Sequence, residues 1–169
     1  MSLSLSLAGI VERFDNKSEE DKNKATMVYS LSATYDFEVA KAFFGYQYAN
    51  RFHSLDQLED VWVSGKGMNQ NAFTLGAEVP AAGGTFKVAA NYGFGKVKSA
   101  DGVVVDDTKL SNDKFNRFTV GAAYEYPLSK RTFVYGWGAY ATAGKMFKEK
   151  AVEENFKSWS LGLGLHHTF

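Results

Sequence analysis

Seven charged residues, Glu12, Lys41, Arg51, Glu78, Lys87, Arg117 and Glu125, fall in phase with Gly, Ser and Thr along stretches whose intervening positions are apolar. Gathered on one face, such charges could tune the passage of ions. Across a narrow closed interior they could instead neutralise one another. Four are basic and three acidic, a balance that favours mutual pairing over a field of one sign.

Catalytic chemistry is less well supported. His53 lies near Ser54 and Asp56, the residue types of a nucleophilic triad, but in a long polar stretch where a solvated histidine is the simpler reading. His166 and His167 are adjacent, so a strand would point them to opposite faces and they could not share one metal. The absence of Cys removes a thiolate nucleophile, a thiolate metal site and a disulfide scaffold. Asp101, Asp106 and Asp107 flank Val103, Val104 and Val105 and could recruit a divalent cation, with a solvated loop as the competing reading. The Gly-x-Gly pairs at 93–95, 136–138 and 162–164 precede no helical pattern, so they do not read as a nucleotide loop. No catalytic residue, metal site or cofactor is expected.

The elements that position the charges alternate with a period of two, the signature of strands. At the N-terminus Leu3, Leu5, Leu7 and Val11 oppose Ser2, Ser4, Ser6 and Glu12. At the other end Trp159, Leu161, Leu163, Leu165 and Phe169 oppose Ser160, Gly162, Gly164 and Thr168. Six further strands are expected over 25–35, 39–51, 72–79, 85–97, 115–126 and 132–143. In the last of these, Phe133, Tyr135, Trp137 and Ala139 are assigned to the apolar face. In 39–51, Phe43 is a bulky exception on the small-residue face. That makes eight strands.

Connections alternate too. Those at 36–38, 80–84 and 127–131 are tight, whereas 15–24, 52–70, 98–113 and 145–156 are long and polar. Ser54 and Gln57 read as a capping box, so a short loop helix with Leu55, Leu58 and Val61 on one side is expected before Trp62. Short turns at one end and long loops at the other are the pattern of an outer-membrane barrel, with periplasmic turns and extracellular loops. The expected fold is therefore all-β: an antiparallel up-and-down transmembrane β-barrel, one domain over 1–169.

Alternation alone does not say which face meets water. A soluble lipocalin-like carrier would turn the apolar face inward. Three features favour the reverse. The other face is rich in Gly, Ser and Thr, which suits a lumen. The apolar face carries aromatics near strand ends, including Tyr35, Phe86, Tyr126 and Phe133 at the tight turns and Tyr48, Phe94, Phe118 and Trp159 toward the loops. Phe169 lies on that face at the expected end of the last strand.

The ending Gly164-Leu165-His166-His167-Thr168-Phe169 resembles that of the trimeric porins of Gram-negative β-proteobacteria. The hairpin Val120–Tyr135, with its Leu128-Ser129-Lys130-Arg131-Thr132 turn, and the turn within Glu78–Lys87 look like segments of the same family, in its order. The first half is similar mainly in strand rhythm. His166 departs from the Arg that the family carries there, removing an inward positive charge. Such porins have about sixteen strands, so the chain resembles their C-terminal eight-stranded half.

The resemblance implies passive diffusion of small polar solutes, no enzyme activity, and residence in the bacterial outer membrane. Its partners would be lipid and lipopolysaccharide, with a homo-oligomer as a further possibility. Leu161, Leu163, Leu165 and Phe169 resemble the signal read by the outer-membrane assembly machinery, through strand addition at an exposed edge. The alternative is a small closed eight-stranded barrel, a porin fragment or engineered mini-barrel with a scaffold role. Its interior would be filled by side chains and would conduct little.

Composition is consistent with either barrel. The 169 residues carry no net charge, with 19 Lys+Arg against 19 Asp+Glu, which excludes the basic footprint of a nucleic-acid binder. Mean hydropathy is −0.27, and no stretch approaches the roughly 20 apolar residues of a membrane helix. Averaging over two opposite faces gives that modest value. No apolar leader precedes the first strand, so the sequence reads as mature, with Met1 as an expression start.

Overall fold

A computed structural model describes residues 1–12, 25–52, 67–98, 104–105, 108–109, 113–145 and 157–169. Among these described residues ten strands run in chain order: β1 (Ser2–Glu12), β2 (Thr26–Asp36), β3 (Lys41–Phe52), β4 (Met68–Ala81), β5 (Gly84–Val97), β6 (Val104–Val105), β7 (Thr108–Lys109), β8 (Lys114–Ser129), β9 (Thr132–Lys145) and β10 (Lys157–His167). Eight form one sheet, β1-β2-β3-β4-β5-β8-β9-β10, in which every neighbouring pair is antiparallel. The pair β6 and β7 forms a two-residue ladder of its own. It was not expected from sequence. The expected loop helix, His53 with Ser54 and Asp56, and Asp101, Asp106 and Asp107 lie outside the described residues.

The order is an up-and-down meander. Among the described residues β1 and β10 do not pair with each other, so the sheet is open along two edges. Two of the three tight connections are shorter than expected, while the first spans residues 37–40. Ala82 and Gly83 alone join β4 to β5, with φ of 48° and 79°. Two successive left-handed residues twist a hairpin in the sense its strands require. Lys130 and Arg131 join β8 to β9, braced by the Arg131 amide donating to Ser129 Oγ at 3.2 Å. Leu128 drops out of the ladder, where the register shifts between Pro127 and Ser129. In the third turn the Glu38 amide donates to Asp36 Oδ1 at 2.7 Å.

The sheet has almost no core of its own. Among the described residues the buried apolar ones are Met68, Val97, Phe115 and Ala143, all at the long-loop end. Phe52 joins them, its ring 6.2 Å from that of Phe115. Elsewhere one whole face stays open: Leu31, Phe73, Leu75, Val88 and Phe118 are all exposed, Leu75 by 62 %. A face this large and apolar is not stable against water.

Candidate functional site

Antiparallel pairing places opposed residues on one face, so the register decides which side chains share a surface. Six neighbouring strands and the last one contribute a single transverse row: Asp36 opposite Lys41, Lys41 opposite Glu78, Glu78 opposite Lys87, Lys87 opposite Ala123, Ala123 opposite Trp137, and Trp137 opposite Gly162. Its charged part alternates in sign. Lys41 Nζ lies 3.7 Å from Asp36 Oδ2. Lys87 Nζ lies 3.7 Å from Glu78 Oε1 and 2.9 Å from Glu125 Oε2, Glu125 standing diagonally across on β8. One ammonium therefore joins carboxylates from the strands on either side of it.

Of the seven residues singled out by sequence, the structure brings Lys41, Glu78, Lys87 and Glu125 together. Arg117 is on the same face but opposite Gly93 and Ala143, toward the long loops. Its Nε is buried and finds no hydrogen-bond partner among the described residues. Arg51 leaves the alternation altogether. It sits in a bulge between Asn50 and Phe52 with φ of 60°, and its carbonyl accepts from Thr26 Oγ1 at 2.7 Å. Glu12 pairs with Thr26 at the far end of β1, and its side chain lies outside the described portion. Asp36 belongs to the row and was missed. Its place in the first tight turn hid it, because a carboxylate beside a turn reads as turn chemistry.

Toward the long loops the next row is nearly without side chains: Phe43, Gly76, Ala89, Gly121 and Ala139 face one another in turn. The row after that is polar, with Asn91 Nδ2 donating to Thr74 Oγ1 at 2.8 Å. The result is a trough of about 440 Å³ floored by Gly and Ala, with Phe43, Glu78, Lys87 and Trp137 among its lining.

Register overturns one expected assignment. Phe133, Tyr135, Trp137 and Ala139 share the face of Lys87 and Glu125, while Val134, Gly136, Gly138 and Tyr140 share that of Val120 and Tyr124. The cause is visible on β10. Trp137 and Tyr135 lie across Gly162 and Gly164, where any Cβ would meet their rings, and Leu161 and Leu163 lie over Gly138 and Gly136. Glycine on one strand makes room for a large side chain on the next, so the bulky residues of β9 and β10 sit on opposite faces.

The apolar face has its own order. At the loop end hydroxyls and amides meet: the Tyr46 hydroxyl donates to Asn71 Oδ1 at 2.8 Å, and the Tyr48 hydroxyl and Asn69 amide are 2.8 Å apart. At the turn end the Tyr124 hydroxyl reaches the Ala81 carbonyl at 3.0 Å. Tyrosines with an apolar ring and a satisfied polar tip are suited to an interface between oil and water. On β10, Leu161, Leu163 and Leu165 project from an open edge, Leu163 91 % exposed. The strand ends at His167, not at Phe169 as expected. The Phe169 ring instead meets that of His167 at 5.0 Å. His166 is on the other face, stacked on Phe133 at 4.8 Å.

Outside the spanning ladder, Asp113 precedes β8. The Lys96 ammonium, 3.0 Å away, holds its carboxyl below the usual carboxylate range. Among the described residues no group of three or more His, Cys, Asp or Glu could hold a metal.

Comparison with known proteins explains a folded sheet whose apolar side lacks a covering layer. A family profile described as Gram-negative porin matches residues 2–145. The chain belongs to the Gram-negative porin family. The match begins in β1 and so includes the half whose resemblance rested on strand rhythm. An outer membrane porin protein of Bordetella pertussis (strain Tohama I) is 30% identical over 172 residues, covering 92% of this chain and 40% of the relative. The porin chain thus spans well under half the length of that relative. It is a β-barrel protein of the bacterial outer membrane, and no helix among its described residues is long and apolar enough to cross one.

Proposed function

We propose that this porin chain forms wall of a channel through which small polar solutes and ions diffuse passively. The supporting observation is the division of one sheet into a charged face, carrying the Asp36–Lys41–Glu78–Lys87–Glu125 pairs, and an exposed apolar face. The first would line the aqueous path, with Glu12 and Arg117 toward its loop end. The second would meet lipid and lipopolysaccharide. Within hydrocarbon each unsatisfied backbone group costs several kcal/mol, so in the membrane β1 and β10 must both find partners. Leu161, Leu163, Leu165 and Phe169 would present the β10 edge to the assembly machinery by strand addition. Nothing in this role requires an enzyme or a cofactor.

Liposomes carrying the folded protein should swell in isotonic sugar solutions, faster for small sugars than for large ones. Planar bilayers should show discrete conductance steps. The pairing of Lys87 with two carboxylates favours a second reading, in which the charges neutralise one another inside a closed eight-stranded barrel. Protein that inserts without any permeation would decide for that reading against diffusion.

A further inference from the structure

Trp137 stands on the charged face because Leu161 and Leu163 fill the space over Gly138 and Gly136 on the other. Its ring rests across Gly162, which fixes one side of it, yet 41 % of the residue remains exposed. It stands in the same transverse row as Lys87 and Glu78, separated from Lys87 by Ala123 alone. Neighbouring strands are about 4.8 Å apart, so the Trp137 and Lys87 backbones are about 10 Å apart across Ala123. Glu125 is closer. It opposes Tyr135, which puts it diagonally beside Trp137 on the next strand. The trough at their feet is floored by Gly76, Ala89, Gly121 and Ala139, so nothing on the strands between Phe43 and Trp137 rises to fill it.

Charge decides what kind of molecule fits. At this end of the face the carboxylates of Asp36, Glu78 and Glu125 outnumber the ammoniums of Lys41 and Lys87. Arg117 lies eight positions from Glu125 along β8, beyond the Thr119 row. A positive group over the trough would therefore meet excess negative charge and the π-face of an indole, the strongest aromatic partner for a cation. A negative group would be repelled by the same charge, and the one ammonium in the lining, Lys87, is already held by Glu78 and Glu125.

We propose that Trp137 and Glu125 form a subsite for flat organic cations, an aromatic or heteroaromatic ring bearing an ammonium, with the ring on the indole and the nitrogen toward the Glu125 carboxylate. The subsite rests on the reading that this face is the aqueous one, and it would retard such solutes relative to neutral ones of the same size.

Three probes of one ring size test it on the full chain folded in detergent micelles: benzylammonium, benzyl alcohol and benzoate. With Trp62→Phe and Trp159→Phe, Trp137 is the sole tryptophan and reports directly. Benzylammonium should change its emission saturably, with benzyl alcohol and benzoate about tenfold weaker. E125Q should weaken benzylammonium about fivefold and leave benzyl alcohol unchanged. If E125Q does not fold, E78Q serves, with a smaller loss for the cation only. Trp137→Leu, followed by calorimetry, should abolish the preference. Equal response to all three probes, or a cation preference that survives both carboxamide substitutions, would overturn the subsite. Acrylamide quenching separates the two levels. Quenched Trp137 without cation preference defeats the subsite alone, whereas Trp137 shielded from acrylamide defeats the aqueous face beneath it.

Discussion

G95A should destabilise the folded sheet by about 2 kcal/mol, although it adds only one methyl group. A Cβ at Gly95 would meet the Asn69 carbonyl on one side and the Phe115 ring on the other. Neither can retreat. The carbonyl belongs to the β4 backbone, in register with Lys96. Phe115 is buried, 3 % exposed, against Phe52 in the only apolar cluster among the described residues. G9A is the internal control, because the nearest atoms to a Cβ there, Tyr29 Cδ1 and the Val28 carbonyl, are 3.9 and 4.0 Å away. Its effect should stay within about 0.5 kcal/mol. Urea unfolding of the two variants in the same detergent, followed by circular dichroism, makes the comparison. Similar midpoints for both would mean that the β4–β5–β8 packing is not as described.

K87E should cost about 2 kcal/mol at low ionic strength and should respond steeply to salt. The substitution places a carboxylate opposite Glu78 and beside Glu125, converting two attractions into two repulsions across adjacent strands. Lys87 is about one-third exposed (36 %), so water screens both terms and the figure is well below what a buried pair would give. Raising salt to about 0.5 M should remove roughly half of the loss. Adding E78K restores an opposed pair and should recover part of the remainder, because it also sets an ammonium opposite Lys41 and leaves Glu125 beside a carboxylate. In a double-mutant cycle the coupling between positions 78 and 87 should be favourable and salt-dependent. Additive effects would show that the row is a coincidence of register rather than an interaction.

Strand existence was written plainly in the residues, because one alternation sets apolar against small or polar side chains in every segment. Phase was harder. In β9 size points to the wrong face: Phe133, Tyr135 and Trp137 look like lipid-facing residues because they are large. Phase is fixed by neighbours, however, and Leu161 and Leu163 on β10 already occupy the space over Gly138 and Gly136. Only the pairing register shows that, and a single strand does not contain its register. Phe43, by contrast, is placed correctly against its size, since Ala42 and Phe44 on either side hold the phase of β3.

Boundaries erred where polarity misled. Met68 to Asn71 extend β4 beyond its expected start, because Asn71 is held by the Tyr46 hydroxyl rather than by an apolar neighbour. Arg51 shows the opposite failure, a residue in perfect phase that a left-handed bulge removes from the face. Family membership was legible in the turn and ending motifs, which no periodicity could supply.

The central claim is that the Lys87 face meets water and the Val120 face meets lipid. The chain contains no Cys, so single cysteines report without background. The decisive pair is Ala139→Cys and Tyr140→Cys in β9, adjacent residues whose faces the register and the residue sizes assign oppositely. In protein reconstituted into liposomes, the thiol at 139 should react with a small hydrophilic maleimide. The thiol at 140 should resist it, and a fluorophore attached there before reconstitution should be quenched by a lipid-borne quencher. Reactivity at 140 with protection at 139 would contradict the account.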